Sequence, residues 1–229
     1  MEPPPVRGVV FDLDDTLLDH RGSATRALGR WLPRLGASPD AGVVAAWFEA
    51  EERHFPRWSA GEITFTEQRR LRLRDVLPAA GVEPGDDEEL DRLFAGYLAC
   101  YQASWTVFDD VAPTVRSLHR AGVAMAVLTN GLGEQQRAKV AATGLAHRLG
   151  PVLTPEETGA SKPDPAANLT ACARLGLEPG VVLHVGDRHD LDVEAARAAG
   201  LRAVHLDRRG AGPTDEPWRI SSLTDLPAG

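Results

Sequence analysis

Apolar residues gather in five short runs along this chain: Val6–Phe11, Val123–Thr129, Pro151–Thr154, Val181–Gly186 and Arg202–Leu206. Each is bounded by glycine, proline or polar residues. Runs this short, continuous and apolar read as buried strands. Between them lie helical patterns that stop at glycine: Val111–Arg120 before Gly122, Glu134–Thr143 before Gly144, Pro165–Leu175 before Gly176 and Asp192–Ala199 before Gly200. Basic residues in a last turn, such as His119 and Arg120, followed by glycine suit a helix C-terminus. Strand and helix alternate from Val111 onward. That alternation predicts an α/β domain with a Rossmann-like, mainly parallel sheet, helices on both faces and right-handed crossovers.

The stretch from Asp19 to Ser104 has a different texture. It carries no convincing strand, is rich in alanine, leucine, arginine and glutamate, and is broken at Pro33, Pro39, Pro56, Gly61, Pro78 and Gly85. Four or five helices are predicted. The organisation expected is one α/β domain from residues 1–18 and 105–229, with an all-α domain, residues 19–104, inserted after the first strand. Trp31, Trp47 and Trp58 fall in the insertion and read as its core. The polar segment Arg208 to Gly229 is expected to wrap the surface.

Composition narrows the function. The 229 residues carry a formal charge of −8, which repels a phosphodiester backbone and argues against a nucleic-acid partner. Cys100 and Cys172 form no C-x-x-C or zinc-type spacing, which fits a reducing compartment. The opening MEPPPVRG lacks an apolar signal region, and no apolar run approaches the roughly 18 residues of a membrane span. A cytoplasmic protein, monomer or homodimer, is expected. Of 25 basic residues only Lys139 and Lys162 are lysines. Each is therefore a candidate for a special role, although chance is the default reading for Lys139 alone.

Four segments carry candidate chemistry. In Phe11-Asp12-Leu13-Asp14-Asp15-Thr16-Leu17, three carboxylates crowd the end of an apolar run. Like charges held closely raise one another's pKa, and a divalent cation would resolve the conflict. Side-chain alternation would let Asp12 and Asp14 serve one site, one as nucleophile and the other as proton donor and acceptor. In Gly186-Asp187-Arg188-His189-Asp190-Leu191-Asp192, Asp187 again ends an apolar run, and Asp190 or Asp192 would add a further oxygen ligand. Two acidic strand ends meeting at a topological switch point favour Mg²⁺. Thr129-Asn130-Gly131 offers a hydroxyl and backbone N–H groups to a phosphate. Ser161-Lys162-Pro163-Asp164-Pro165 holds a lysine in a proline-braced loop, a compact charge suited to phosphoryl groups and clustered carboxylates.

The ordered motifs DLDDT, TNG, SKPDP and GDRHDLD resemble the haloacid dehalogenase (HAD) superfamily, with the helical insertion where that superfamily carries its first type of cap. The resemblance implies that Asp12 attacks phosphorus to form an aspartyl-phosphate. Asp14 would protonate the leaving oxygen, activate water, and bind Mg²⁺ through its carbonyl. Thr129 and the Asn130 amide would hold the phosphoryl group, Lys162 would neutralise charge, and Asp187 with Asp192 would bind Mg²⁺. Dehalogenating members generally lack the second aspartate, so Asp14 favours a phosphatase acting on a small phosphorylated metabolite. Phosphoglycolate-phosphatase-like members usually have glycine where Asp15 stands. DLDDTL with TNG, and the insertion's Gly61-Glu62-Ile63-Thr64, look more like the branch of pyrimidine 5′-nucleotidases and N-acylneuraminate-9-phosphatases, implying a nucleoside 5′-monophosphate or phosphosugar substrate. Arg70 and Arg74 share a helix face while Arg72 points the other way. By the same resemblance Arg72 is the arginine expected to bind substrate. Phosphomutase and 2-haloacid dehalogenase remain alternatives. A non-catalytic binding protein is disfavoured, because every motif carboxylate and the motif lysine are present.

Overall fold

The strand Gly8–Phe11 (β1) is buried along its whole length. It lies between two parallel partners, Ala124–Leu128 (β2), with Gly8 opposite Ala124, and Val182–Gly186 (β4), with Gly8 opposite Val182. A strand flanked on both edges and covered on both faces can present only apolar side chains, which is why it reads as an unbroken Val-Val-Phe run. Val152–Leu153 (β3), Arg202–Leu206 (β5) and Arg219–Ile220 (β6) complete a six-stranded parallel sheet of order β3-β2-β1-β4-β5-β6. These details come from a computed structural model that describes residues 5–226. The first four residues of the proline-rich opening and the last three of the tail lie outside the described residues.

The chain divides into two compact units, residues 1–19 with 106–229 and residues 20–105. In the first unit the crossovers use Val111–Arg120 (α5), Gly133–Ala142 (α6), the single turns Ala146–Leu149 (α7) and Pro155–Thr158 (α8), Pro165–Leu175 (α9) and Ala195–Ala198 (α10). Val10, Ala126 and Leu128 pack against Ala167, Ala171 and Cys172 of α9 and against Val193 and Ala196. Small residues there let the helices lie close on the sheet. Asp164, in the lysine-bearing motif, caps α9 by accepting from the Ala166 N–H at 2.9 Å, and Pro165 begins the helix without needing a donor.

Two local expectations are corrected. The helix expected over Asp192–Ala199 starts earlier and winds differently: His189–Glu194 is a π-helical turn that feeds α10. The polar tail contributes β6, placed beside β5 by His205 N–H to the Trp218 carbonyl and Asp207 N–H to the Ile220 carbonyl.

The second unit holds four α-helices, His20–Trp31 (α1), Ala41–Ser59 (α2), Phe65–Val76 (α3) and Asp87–Gln102 (α4), with short 3₁₀ turns after α1 and α3. Asp40, Thr64 and Asp86 each accept from a backbone N–H three residues on, so α2, α3 and α4 each have a side-chain cap. Thr64 ends the Gly61-Glu62-Ile63-Thr64 string, whose local role is therefore a turn and a helix start. Trp31 and Trp47 lie in the core, where Trp47 packs on Tyr97 with ring centroids 4.1 Å apart. Trp58 packs outside it on Phe55 and Phe65. Cys100 and Cys172 are free and buried. Among the described residues no helix is long and apolar enough to cross a membrane.

Candidate active site

Three neighbouring strands, β2, β1 and β4, deliver Thr129, Asp12 and Asp187 at their carboxyl ends. The chain turns back at β1, running outward through β2 and β3 on one side and through β4 to β6 on the other. Loops leaving a switch point diverge and open a crevice. Asp12 is nearly buried there, and its N–H donates to the Val185 carbonyl at 2.9 Å. One oxygen each of Asp12, Asp187 and Asp192 lie within 4.8 Å of one another.

Asp192 joins this group from within the π-helical turn. One carboxylate oxygen accepts from Lys162 Nζ at 2.5 Å, and the other accepts from the Arg188 N–H at 2.9 Å. The carboxylate lies against the main chain of Gly186, where an added Cβ would sit 2.2 Å from Asp192 Oδ2. Glycine in the fourth motif is thus a requirement of close approach. Asp190, the other acid considered, points outward and pairs with Arg188.

Lys162 is buried with Nζ 2.7 Å from Asp12 Oδ1 and 2.5 Å from Asp192 Oδ1. Its loop is locked to the second motif. The Asn130 side chain donates to the Lys162 carbonyl at 2.6 Å and accepts from the Lys162 N–H at 2.8 Å. The Asn130 side chain is therefore committed to the lysine's backbone. Beneath the lysine, buried His184 stands 3.4 Å from Asp192 Oδ1 through Nε2, and its Nδ1 meets the Asn168 side-chain oxygen at 2.8 Å. A histidine inside the apolar run Val-Val-Leu-His-Val was a signal available in the sequence. On the far side, the His205 ring meets the Asp187 carbonyl at 2.9 Å, and the His189 ring meets Glu216 at 3.0 Å.

The electrostatics separate the three clustered acids. Burial pushes Asp12 up to about 7, against the opposing pull of Lys162 and with help from Asp192. Burial, with the charges of Asp12 and Asp192, pushes Asp187 up to about 9. Burial also acts to raise Asp192, but Lys162 and the His184 hydrogen bond outweigh it and hold the carboxyl well below the usual carboxylate range. Lys162 is raised because Asp12 and Asp192 overcome the cost of burying its charge. One lysine therefore does not neutralise three clustered carboxylates. The donor set fits a hard divalent cation, which accepts carboxylate oxygens and would favour all three in ionised form.

Asp14 does not join this group through its side chain. The strand ends at Phe11, so side-chain alternation does not extend to Asp14. Instead the turn carries its carboxylate to Lys139, whose Nζ lies 2.7 and 2.8 Å from the two oxygens, and to Gln136 Nε2 at 2.9 Å. Its charge still reaches Asp12 and adds to the upward shift there. Thr129 Oγ1 is buried and accepts from the same Gln136 nitrogen at 2.7 Å. Sequence reasoning missed Gln136 and set Lys139 aside; the scarcity of lysine was the one signal available. Asp15 adopts φ +59°, the left-handed region that favours glycine, and its carboxylate takes a hydrogen bond from Arg209 at 3.0 Å.

Arg72 belongs to the helical unit. It is buried there, pairs with Glu51 at 2.7 Å, and lies with its guanidinium 4.4 Å from the centroid of the Trp47 ring. Arg70 and Arg74 face the acidic start of α4, both pairing with Asp87 and Arg70 also with Asp91. Arg72 thus ties α3 to α2 inside the unit's own core.

The sequence matches the haloacid dehalogenase-like hydrolase family over residues 6–200. It is 30% identical over 225 residues to a glyceraldehyde 3-phosphate phosphatase of Methanopyrus kandleri, covering 96% of this chain and 92% of that one. The fold is similar to that of the HAD-hydrolase YfnB from Bacillus subtilis, solved with magnesium, with a TM-score of 0.83, 20% identity and 97% of both chains covered. It is also similar to a 2-haloacid dehalogenase from Pseudomonas syringae pv. Tomato, with a TM-score of 0.64, 28% identity and coverage of 97% of this chain and 96% of that one. The match spans both acidic strand ends and the loops that carry Thr129 and Lys162, and the chain belongs to the haloacid dehalogenase-like hydrolase family.

Proposed function

We propose that this protein is a divalent-metal-dependent phosphatase of small phosphomonoesters, with Asp12 as nucleophile and Asp14 as general acid and base. The observation that carries the reading is the division of labour between two carboxylates two residues apart. Asp12 faces Lys162 and the acidic cluster, while Asp14 is held apart by Lys139 and Gln136. Two titratable groups in contrasting environments are suited to different jobs.

An Asp12 oxygen attacks phosphorus, the bond to the leaving oxygen breaks, and Asp14, which takes up a proton from solvent before the attack, gives that proton to the leaving oxygen. Water then attacks the aspartyl-phosphate, its proton passes to Asp14, and free phosphate and the Asp12 carboxylate are restored. Thr129 and the backbone beside it orient the phosphoryl oxygens, and Lys162 offsets the negative charge that builds between nucleophile and phosphate. Asp12, Asp187 and Asp192 would hold the cation, with Mg²⁺ the expected ion. It would neutralise the phosphoryl group and align it with the nucleophile.

The dehalogenase alternative finds less support at Asp14. A halide leaves without a proton, so an acid cradled by two donors would have no task in that reaction. An alkoxide leaving group gives it one. The match to a glyceraldehyde 3-phosphate phosphatase points the same way. The test is phosphate release from a panel of phosphorylated metabolites that includes nucleoside 5′-monophosphates and phosphosugars. It is run with Mg²⁺, with chelator, and with Asp12→Asn. Release that depends on both the cation and Asp12 supports the proposal. Equal release by wild type and Asp12→Asn overturns the mechanism, and halide release from a 2-haloacid without phosphatase activity overturns the reaction class.

A further inference from the structure

Both lysines of an otherwise arginine-rich chain stand in the site, one on each of the two working aspartates. Lys139 lies on α6, 125 positions beyond Asp14, with its side chain 4% exposed. Gln136 is one helical turn earlier on the same face. Its amide nitrogen bridges Asp14 Oδ2 and Thr129 Oγ1. The helix starts directly after the Thr129-Asn130-Gly131 loop. At Gly131 an added Cβ would lie 2.4 Å from Gln136 Nε2, so this glycine makes room for the bridge.

We propose, on the basis of the phosphatase reading, that Lys139 and Gln136 are positioning residues. They fix the plane of the Asp14 carboxylate and tie it to the hydroxyl that orients the phosphoryl group. Both Asp14 oxygens are engaged by Lys139 and one of them also by Gln136, so rotation about the bond to the carboxyl carbon would break hydrogen bonds. The shared Gln136 nitrogen links the proton-transfer group to the phosphate site. A misplacement of about 1 Å in such a group costs on the order of 100-fold in rate. Lysine suits the place because its compact ammonium contacts both oxygens from within a buried helix face, where a planar guanidinium needs more room.

The test compares Lys139→Met with wild type on two probes of nearly equal shape, phenyl phosphate and p-nitrophenyl phosphate. The nitro group stabilises the departing phenolate, so that substrate needs little help from Asp14. The quantity read is kcat/KM, which reports the steps through loss of the leaving group. If Lys139 acts through Asp14, the variant loses about 100-fold on phenyl phosphate and at least tenfold less on p-nitrophenyl phosphate. In an Asp14→Asn background, where a single turnover is followed, the same substitution causes no further loss in the rate of phenol release from phenyl phosphate in that turnover. Equal losses on both probes, or a further loss in the Asp14→Asn background, overturn the inference. If Lys139→Met alone does not fold, the Asp14→Asn background removes the uncompensated charge, and the comparison there decides the matter. An active wild type with equal losses removes the positioning role alone, whereas a wild type inert on both probes overturns the phosphatase reading with it.

Discussion

Gly186→Ala adds one methyl group and should disable the site from behind. The new Cβ would lie 2.2, 2.3 and 2.6 Å from Asp192 Oδ2, Cγ and Cβ. Asp192 has nowhere to yield, because it is 1% exposed and its two oxygens are held by Lys162 and by the Arg188 N–H. Overpacking of this kind costs about 1–3 kcal/mol, and loss of one hydrogen bond to a charged group adds about 1.5–3 kcal/mol. A total near 4 kcal/mol lowers the melting temperature of a chain this size by roughly 8–16 °C. Four of the five tryptophans lie in the helical unit, so calorimetry is the suitable assay and tryptophan fluorescence is not. Phosphate release should fall at least about 100-fold, since Lys162 and the carboxylates proposed to hold the cation are displaced together. Gly180→Ala, with nothing within 4 Å of its added Cβ, is the control and should stay within about 0.5 kcal/mol of wild type. A Gly186→Ala protein that melts and turns over like wild type would refute the claim that Asp192 is pinned beneath the site.

Two further outcomes follow from the surroundings. Glu216 accepts from Arg197 at 2.9 and 2.7 Å, from the Trp218 N–H at 2.9 Å, and meets the His189 ring at 3.0 Å. Arg197, opposed by burial and aided by these partners, lowers its pKa from 4.5 to about 2. A depressed carboxyl stabilises the fold above its unfolded pKa, so Glu216→Gln should lower the melting temperature at pH 7. The gap from wild type should narrow as the pH falls from about 4.5 towards 2, and a gap that does not change with pH would contradict this. Asp15→Ala should be less stable than Asp15→Gly by about 1–2 kcal/mol in urea unfolding, because both lose the Arg209 contact but only alanine keeps the left-handed strain; equal midpoints would contradict it.

How legible each part was depended on whether its cause was local. The β1 and β4 runs stood out because strands buried on both faces admit no polar alternation. The α5 and α9 boundaries were marked by glycine, basic last turns and the Asp164-Pro165 start. β6 did not stand out, because it is two residues long and half-buried, with Arg219 in it. The π-helical turn was equally hidden, since His189–Glu194 carries no residue that forbids an ordinary helix; only the fold shows that this turn sets Asp192 against Gly186 and Lys162. In the site, residues that end strands were visible from their motifs. Residues that support them across long sequence separations were not. Gln136 and Lys139 sit on an ordinary-looking helix, and only the fold sets them against Asp14. Arg72 shows the converse. Its spacing from Arg70 and Arg74 fixed which face it takes, but only packing puts that face against Trp47 and Glu51.

The most direct test of the central claim uses Asp14→Asn with Mg²⁺ and p-nitrophenyl phosphate. The good leaving group lets Asp12 be phosphorylated, while the missing base stalls hydrolysis. One equivalent of nitrophenolate should be released rapidly per site, and mass spectrometry of the acid-quenched protein should find one phosphoryl group on the peptide that contains Asp12. Release without a burst and without a modified Asp12, or a phosphoryl group on another residue, would contradict the assignment of Asp12 as nucleophile.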